Sequence, residues 1–154
     1  MADAPRLIGL KGTPIVHELI VAAGQTITPG MLVEQVPAAD TCRVHSTAAG
    51  NAVPYVALEN ADVGAAPSTT YVAGSLARLG VFPKGSIVHL KLADGTAAIA
   101  KGDFLEGAAD GTVRKAATNA ATADTQRQGI IAQAQEAIDN ATSGFISHIR
   151  AIMV

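Results

Sequence analysis

The sequence predicts a mainly β protein: one small β-barrel domain, with short helices or none, behind an extended N-terminal arm. Three observations carry that expectation. Apolar residues alternate with polar ones at period two, as Ala77, Leu79 and Val81 do with Arg78 and Gly80, and as Val88, Leu90 and Leu92 do with His89 and Lys91. Turn formers recur at Phe82-Pro83-Lys84-Gly85, Asp94-Gly95, Ala100-Lys101-Gly102-Asp103 and Asp110-Gly111, close to the spacing of about 8 to 12 residues typical of β architectures. The length of 154 residues suits one domain with its own core. Tyr71 to Val113 is therefore expected to form a β-meander, each strand beside the next.

The other elements follow in chain order. Residues 1–10 show neither period and include Pro5, so they are assigned to the arm, and residues 11–154 to the β domain. Ten extended residues reach roughly 33 Å, enough to add a strand to a neighbour's sheet edge. Thr13 to Val21 is rich in β-branched residues with apolar side chains on both faces, which predicts a strand buried on two sides or at an interface. Gly24 ends it. Thr28-Pro29-Gly30-Met31 has the proline-then-glycine order of a type II turn and leads into a strand at Met31 to Val33, completing an expected hairpin. Thr41 to Thr47 predicts a half-buried strand with Cys42, Val44 and Ser46 on one face and Arg43, His45 and Thr47 on the other. Pro54 to Leu58 predicts another strand, and Glu59 to Ser68 a surface loop. Ala116 to Gln128, with four threonines and no apolar stripe, is expected as an exposed loop rather than a short helix. Gly129 to Ile138 is compatible with a strand or a short amphipathic helix, the strand being favoured because Asp139 to Gly144 makes a turn before the β pattern of Phe145 to Val154.

Composition narrows the function. Apolar residues make up 49% of the chain but aromatics only 3%, so the core is built largely from small side chains. Charged residues are 16%, against roughly 25% in an ordinary soluble domain, which suggests that other subunits cover part of the surface. The net charge is −2 and the basic residues form no run, so nucleic acid is not an expected partner. No apolar run approaches the length of a membrane span or of a signal-peptide core, and a soluble protein not exported by that route is expected. Cys42 is the single cysteine, which rules out an intrachain disulfide.

The search for catalytic chemistry yields no assignment. His17, His45, His89 and His148 stand at least 28 residues apart and match no metal-binding spacing, so they are expected as solvent-facing or interface imidazoles. There is no nucleophile elbow, phosphate-binding glycine loop or Cys-x-x-Cys pair. Asp94 and Asp110 precede glycines and are assigned to turns. Glu59 and Glu136, each at the end of an alanine-containing strand, are candidates for interface ion pairs with Arg78, Arg114 or Arg150. No catalytic, cofactor or metal residue is assigned, and no enzyme activity is expected.

Several strings resemble the capsid decoration, or cement, proteins of tailed bacteriophages. They are Gly24-Gln25-Thr26-Ile27-Thr28-Pro29-Gly30-Met31-Leu32-Val33, Tyr55-Val56-Ala57-Leu58-Glu59-Asn60 and Asp94-Gly95-Thr96-Ala97. Lys101-Gly102-Asp103-Phe104-Leu105, Asp110-Gly111-Thr112-Val113 and Ile130 to Ala137 complete the set. The resemblance runs from about Gly24 to the C-terminus and rests on order and spacing. It implies a β-tulip-like fold and a homotrimer on the outer surface of the expanded capsid, at three-fold and quasi-three-fold positions. There the trimer would brace the major capsid protein lattice against internal DNA pressure. It also implies synthesis in the host bacterial cytoplasm, no membrane partner, and an arm touching the capsid, with Ala2, Asp3, Ala4, Pro5, Arg6 and Leu7 as the candidate contact. The alternatives are a virion-displayed adhesion or carbohydrate-binding module and, further off, a trimeric all-β nucleotide hydrolase.

Overall fold

A computed structural model describes residues 7–37, 39–50, 55–95, 97–117, 129–139 and 148–154. Thirteen strands are present among them. β2 (Ile15–Val21), β4 (Leu32–Gln35), β5 (Thr41–Val44), β6 (Tyr55–Ala57) and β8 (Leu76–Val81) close a barrel in the order β2-β5-β4-β6-β8. β1 (Gly9–Lys11), β9 (Ile87–Lys91), β10 (Phe104–Gly107), β11 (Val113–Lys115), β12 (Ile130–Ala134) and β13 (His148–Met153) form a second sheet in the order β1-β9-β13-β12-β10-β11. β3 (Thr26–Ile27) and β7 (Tyr71–Val72) pair as a short ribbon. The loop expected at residues 59–68 contains a single 3-10 turn at Ala61–Val63.

Period two divides the apolar residues between two cores. Val33 and Ala57 point into the barrel, where they join Val21, Ile27, Cys42, Tyr71, Ala77 and Leu79. Their chain neighbours Leu32 and Val56 point out of the barrel and pack with Val88, Leu90, Leu105, Ala132, Ile149 and Ala151 from the inner face of the six-stranded sheet. Strands β4 and β6 are thus buried on both faces, whereas β2 lies on the opposite wall of the barrel. Fully burying one such aliphatic side chain contributes about 1.5–3 kcal/mol. Two glycines mark close approaches. In the turn at residues 28–31, Met31 N–H donates to the Thr28 carbonyl and Gly30 has φ +88°, with the His148 ring where a side chain would begin. On the outer side of β8, a Cβ at Gly80 would meet Phe82, Pro14 and Leu58, which explains a glycine inside a strand.

The longer strands β2, β4, β8, β9 and β13 lie where the sequence pattern placed them, but their partners differ from expectation. The meander does not form: β8 belongs to the barrel and β9 to the other sheet, because Phe82 is buried between the two layers and the Pro83–Ser86 turn sends the chain across the gap. Of the strands within residues 71–113, β9 and β10 are separated by β13 and β12. The expected hairpin between β2 and β4 is also absent, since β4 pairs with β5 and β6 while β2 pairs with β5 and β8. The segment Gly129–Ile138 contains β12, as favoured. The loop expected at 116–128 falls outside the described residues from 118 onward, as does the expected turn from 140.

The chain also joins the sheet earlier than the 1–10 boundary of the arm. Ile8 is fully buried in the larger core, its N–H donates to Glu59 Oε2 (3.1 Å) and its carbonyl accepts from His89 N–H. Residues 9–11 are β1. Substitution Gly30→Ala combines a positive φ with a Cβ 2.7 Å from the His148 ring, so it is expected to cost about 2 kcal/mol or more. A melting temperature lowered by roughly 4 °C or more in a thermal scan would show this.

Candidate interaction surface

Strand β2 is where the fold departs furthest from a sealed structure. Its full length pairs with β8, from Ile15 opposite Val81 to Ile20 opposite Leu76. On its other edge it pairs with β5 only at Ile20 and Val21. Among the described residues, Ile15 to Leu19 have no strand partner on that edge, although the Leu19 carbonyl lies 3.9 Å from Cys42 Sγ. The expectation of burial on two sides is corrected: Val16 and Ile20 are exposed on the outer face of the barrel wall, which faces away from the six-stranded sheet, and Ile15, on the alternate face, is exposed at the start of the strand.

The exposed apolar surface continues beyond β2. Ile20 and Leu76 are cross-strand neighbours, and Leu76 lines a groove of about 330 Å³ together with Val63 and Val72. These six aliphatic side chains are 43–73% exposed. Between Val16 and Ile20 on the same face sits Glu18, opposite Arg78, whose guanidinium lies 3.4 Å from Asp62. The face is thus largely apolar, with one net negative charge beside it.

Residues singled out from the sequence take the following places. Ala2 to Arg6 lie outside the described residues, and Leu7 is exposed with its carbonyl 2.9 Å from His89 Nδ1. The Glu59 and Glu136 carboxylates accept backbone N–H groups, from Ile8 and from Arg150 (2.7 Å) respectively. Arg78 meets Asp62, and Arg114 Nε donates to Glu106 Oε1 at 2.9 Å across the β10–β11 pair. Glu106 is almost completely buried and was not anticipated. Its signal was available, since a carboxylate beside Phe104-Leu105 stands eight residues from an arginine with a turn between them.

The expectation of four solvent-facing or interface imidazoles fails for His45, which is 2% exposed, while His89 and His148 are half-buried. It leaves β5 at the joint between the two layers, where its N–H donates to the Leu32 carbonyl and its ring packs on Gly107. Its Nε2 lies 3.7 Å from Glu34, and its Nδ1 has no hydrogen-bond partner among the described residues. Burial tends to raise the Glu34 pKa, but hydrogen bonds from Ser46 and Arg43 bring it below its ordinary value. Cys42 is buried in the barrel, and burial raises its thiol pKa, so it is a packing residue rather than a nucleophile. His17 stacks edge-on against Tyr55. Tyr71 and Phe82 are buried, while Phe104 is half exposed beside a groove lined by Gly102, Lys115 and Ile130. Among the described residues there is no group of three or more metal-ligating side chains, and no helix is long and apolar enough to cross a membrane.

With this geometry in hand, comparison with known proteins defines a fold class. No protein-family model matches the chain, and no curated protein sequence does. Among solved structures, the chain is similar to the crystal structure of the N base of head fiber gp8.5 in bacteriophage phi29. The TM-score is 0.53 at 16% identity, over 91% of this chain and 95% of that one. The two share a fold.

Two outcomes follow from the site's electrostatics. Burial pushes His148 down to about 4; the Pro29 carbonyl opposes this, and Lys91 and His89 add to it. The unfolded ring, with a pKa near 6.5, then takes up a proton before the folded one. Stability is complete above that value and is lost as pH falls towards 4, on the order of 2–3 kcal/mol. Urea unfolding between pH 7 and 4 should display this slope and His148→Gln should flatten it, while Glu34 and Asp103 contribute only in more acid solution, below their ordinary values of 4.5 and 3.8. Arg114→Met strands the buried Glu106 carboxylate. A loss of about 2–3 kcal/mol is expected, less than for a fully buried pair because water reaches Arg114. Adding Glu106→Gln should restore part of the urea midpoint.

Proposed function

We propose that this chain is a structural protein of a phage virion that binds the outside of the expanded capsid as a homotrimer at three-fold and quasi-three-fold positions. There it braces the major capsid protein lattice against the pressure of the packaged DNA. The observation that carries the proposal is the fold shared with a phage head fiber base over nearly the whole of both chains. The strings resembling decoration proteins point the same way, and so do the low charge content and the uncovered apolar face.

The mechanism is one of geometry. A trimer offers three copies of each contact to a lattice of matching symmetry, so effective concentration converts weak single contacts into a long-lived bridge between capsomers. Such a role requires no turnover, cofactor, nucleic acid or membrane. The chain is made in the host bacterial cytoplasm and acts on the outer capsid surface. The N-terminal arm, Ala2 to Leu7, supplies the capsid contact.

The test is sedimentation of the purified chain with expanded capsids of its phage. Saturable binding in multiples of three and an increase in capsid melting temperature are expected; failure to co-sediment overturns the proposal. Deleting residues 1–6 keeps Ile8 and β1, so the protein should melt as before while binding capsids at least tenfold more weakly. Unchanged binding would remove the arm from the mechanism.

A further inference from the structure

We propose that the outer face of β2 and β8, with the adjoining groove, is the surface by which copies of this chain pack against one another in solution. This rests on the trimeric reading above and assigns its contact. Three features choose a second copy as the occupant.

The first is the backbone. Among the described residues, strand β2 leaves the edge of Ile15 to Glu18 without a strand partner while offering aliphatic side chains beside it. An exposed apolar edge recruits another chain unless it is guarded, and here the only charge along it is Glu18, which stands opposite Arg78.

The second is area. Val16, Ile20, Val63, Val72 and Leu76 present on the order of 400 Å² of apolar surface, as large as the biggest patch a typical monomer leaves exposed. That is about half of the roughly 800 Å² that each partner brings to a standard interface. Among the described residues the second layer sits elsewhere, against Leu32 and Val56 on the far wall of the barrel.

The third is complementarity. A ridge formed by Val16 and Ile20 lies next to a groove bordered by Val63, Val72 and Leu76. A ridge and a groove of the same chemistry on one molecule make a heterologous contact, which closes into a ring when the rotation permits. Arg78 lies opposite Glu18 and 3.4 Å from Asp62, leaving one net negative charge beside the face. A single net charge offers little field to recruit a strongly acidic or basic partner.

The experiment is the mass of the full-length chain in solution by light scattering. The wild type should have the mass of three chains. Ile20→Asp and Leu76→Asp, singly and together, should reduce it threefold while circular dichroism retains the β signal. Phe104→Asp serves as the control, because Phe104 is as exposed as Ile20 but lies on the six-stranded sheet; it should leave the mass unchanged. Should the aspartate variants fail to fold, amide exchange of the wild type gives the answer: Ile15 to Leu19 should be protected at high concentration and lose that protection on dilution. A wild type with the mass of one chain, variants that keep three, or an edge that exchanges equally at all concentrations would each overturn the proposal. A wild-type trimer broken by these substitutions that still fails to bind capsids would overturn the decoration reading and leave the face assigned.

Discussion

Strands β4 and β6 hold the molecule together by being buried twice. One set of their side chains, Val33 and Ala57, fills the barrel, and the alternate set, Leu32 and Val56, fills the space beneath the six-stranded sheet. A sheet wall with apolar residues on both faces must be covered on both. That requirement fixes the two layers against each other and sets the direction in which every remaining strand faces. The joint is reinforced by backbone bonds through Leu32, whose N–H donates to the Gly111 carbonyl and whose carbonyl accepts from His45.

The asymmetry of that packing explains the surface. Walls near β4 and β6 are sealed, and of the polar groups trapped there Glu106 has Arg114 and Tyr71 has the Leu58 carbonyl as a partner. The wall of β2 and β8 is covered by Pro14, Leu58 and Phe82 at Gly80 but is open among the described residues at its other end, where it carries Ile20 and Leu76 in places a solvated wall would give to polar residues. Low charge content and an apolar outer wall are thus one property seen at two levels, composition and position.

The candidate site was legible only in pieces. The β-branched run of Ile15 to Val21 signalled two apolar faces, and burial or an interface were equally good readings of it. Choosing between them needed the position of β2 in the barrel, opposite the covered wall. Glu59 and Glu136 stood out as carboxylates at strand ends, but their partners are backbone N–H groups, which no residue pattern distinguishes from an arginine. His45 looked like the polar half of an alternating strand and is buried instead, because the chain leaves β5 at that residue and turns into the joint between layers.

From the sequence alone came the strand positions, the glycine and proline turns that separate them, and the mainly β class. All of these depend on local sterics and on a two-residue period that any window of the chain displays. Strand partnership was decided only in the folded molecule. Whether β8 lies beside β9 or beside β2 depends on burying Phe82 between layers and on matching residues some sixty positions apart, and a period of two is the same whichever neighbour a strand acquires. The uncovered face belongs to that second category, since exposure is a property of what the rest of the chain fails to reach.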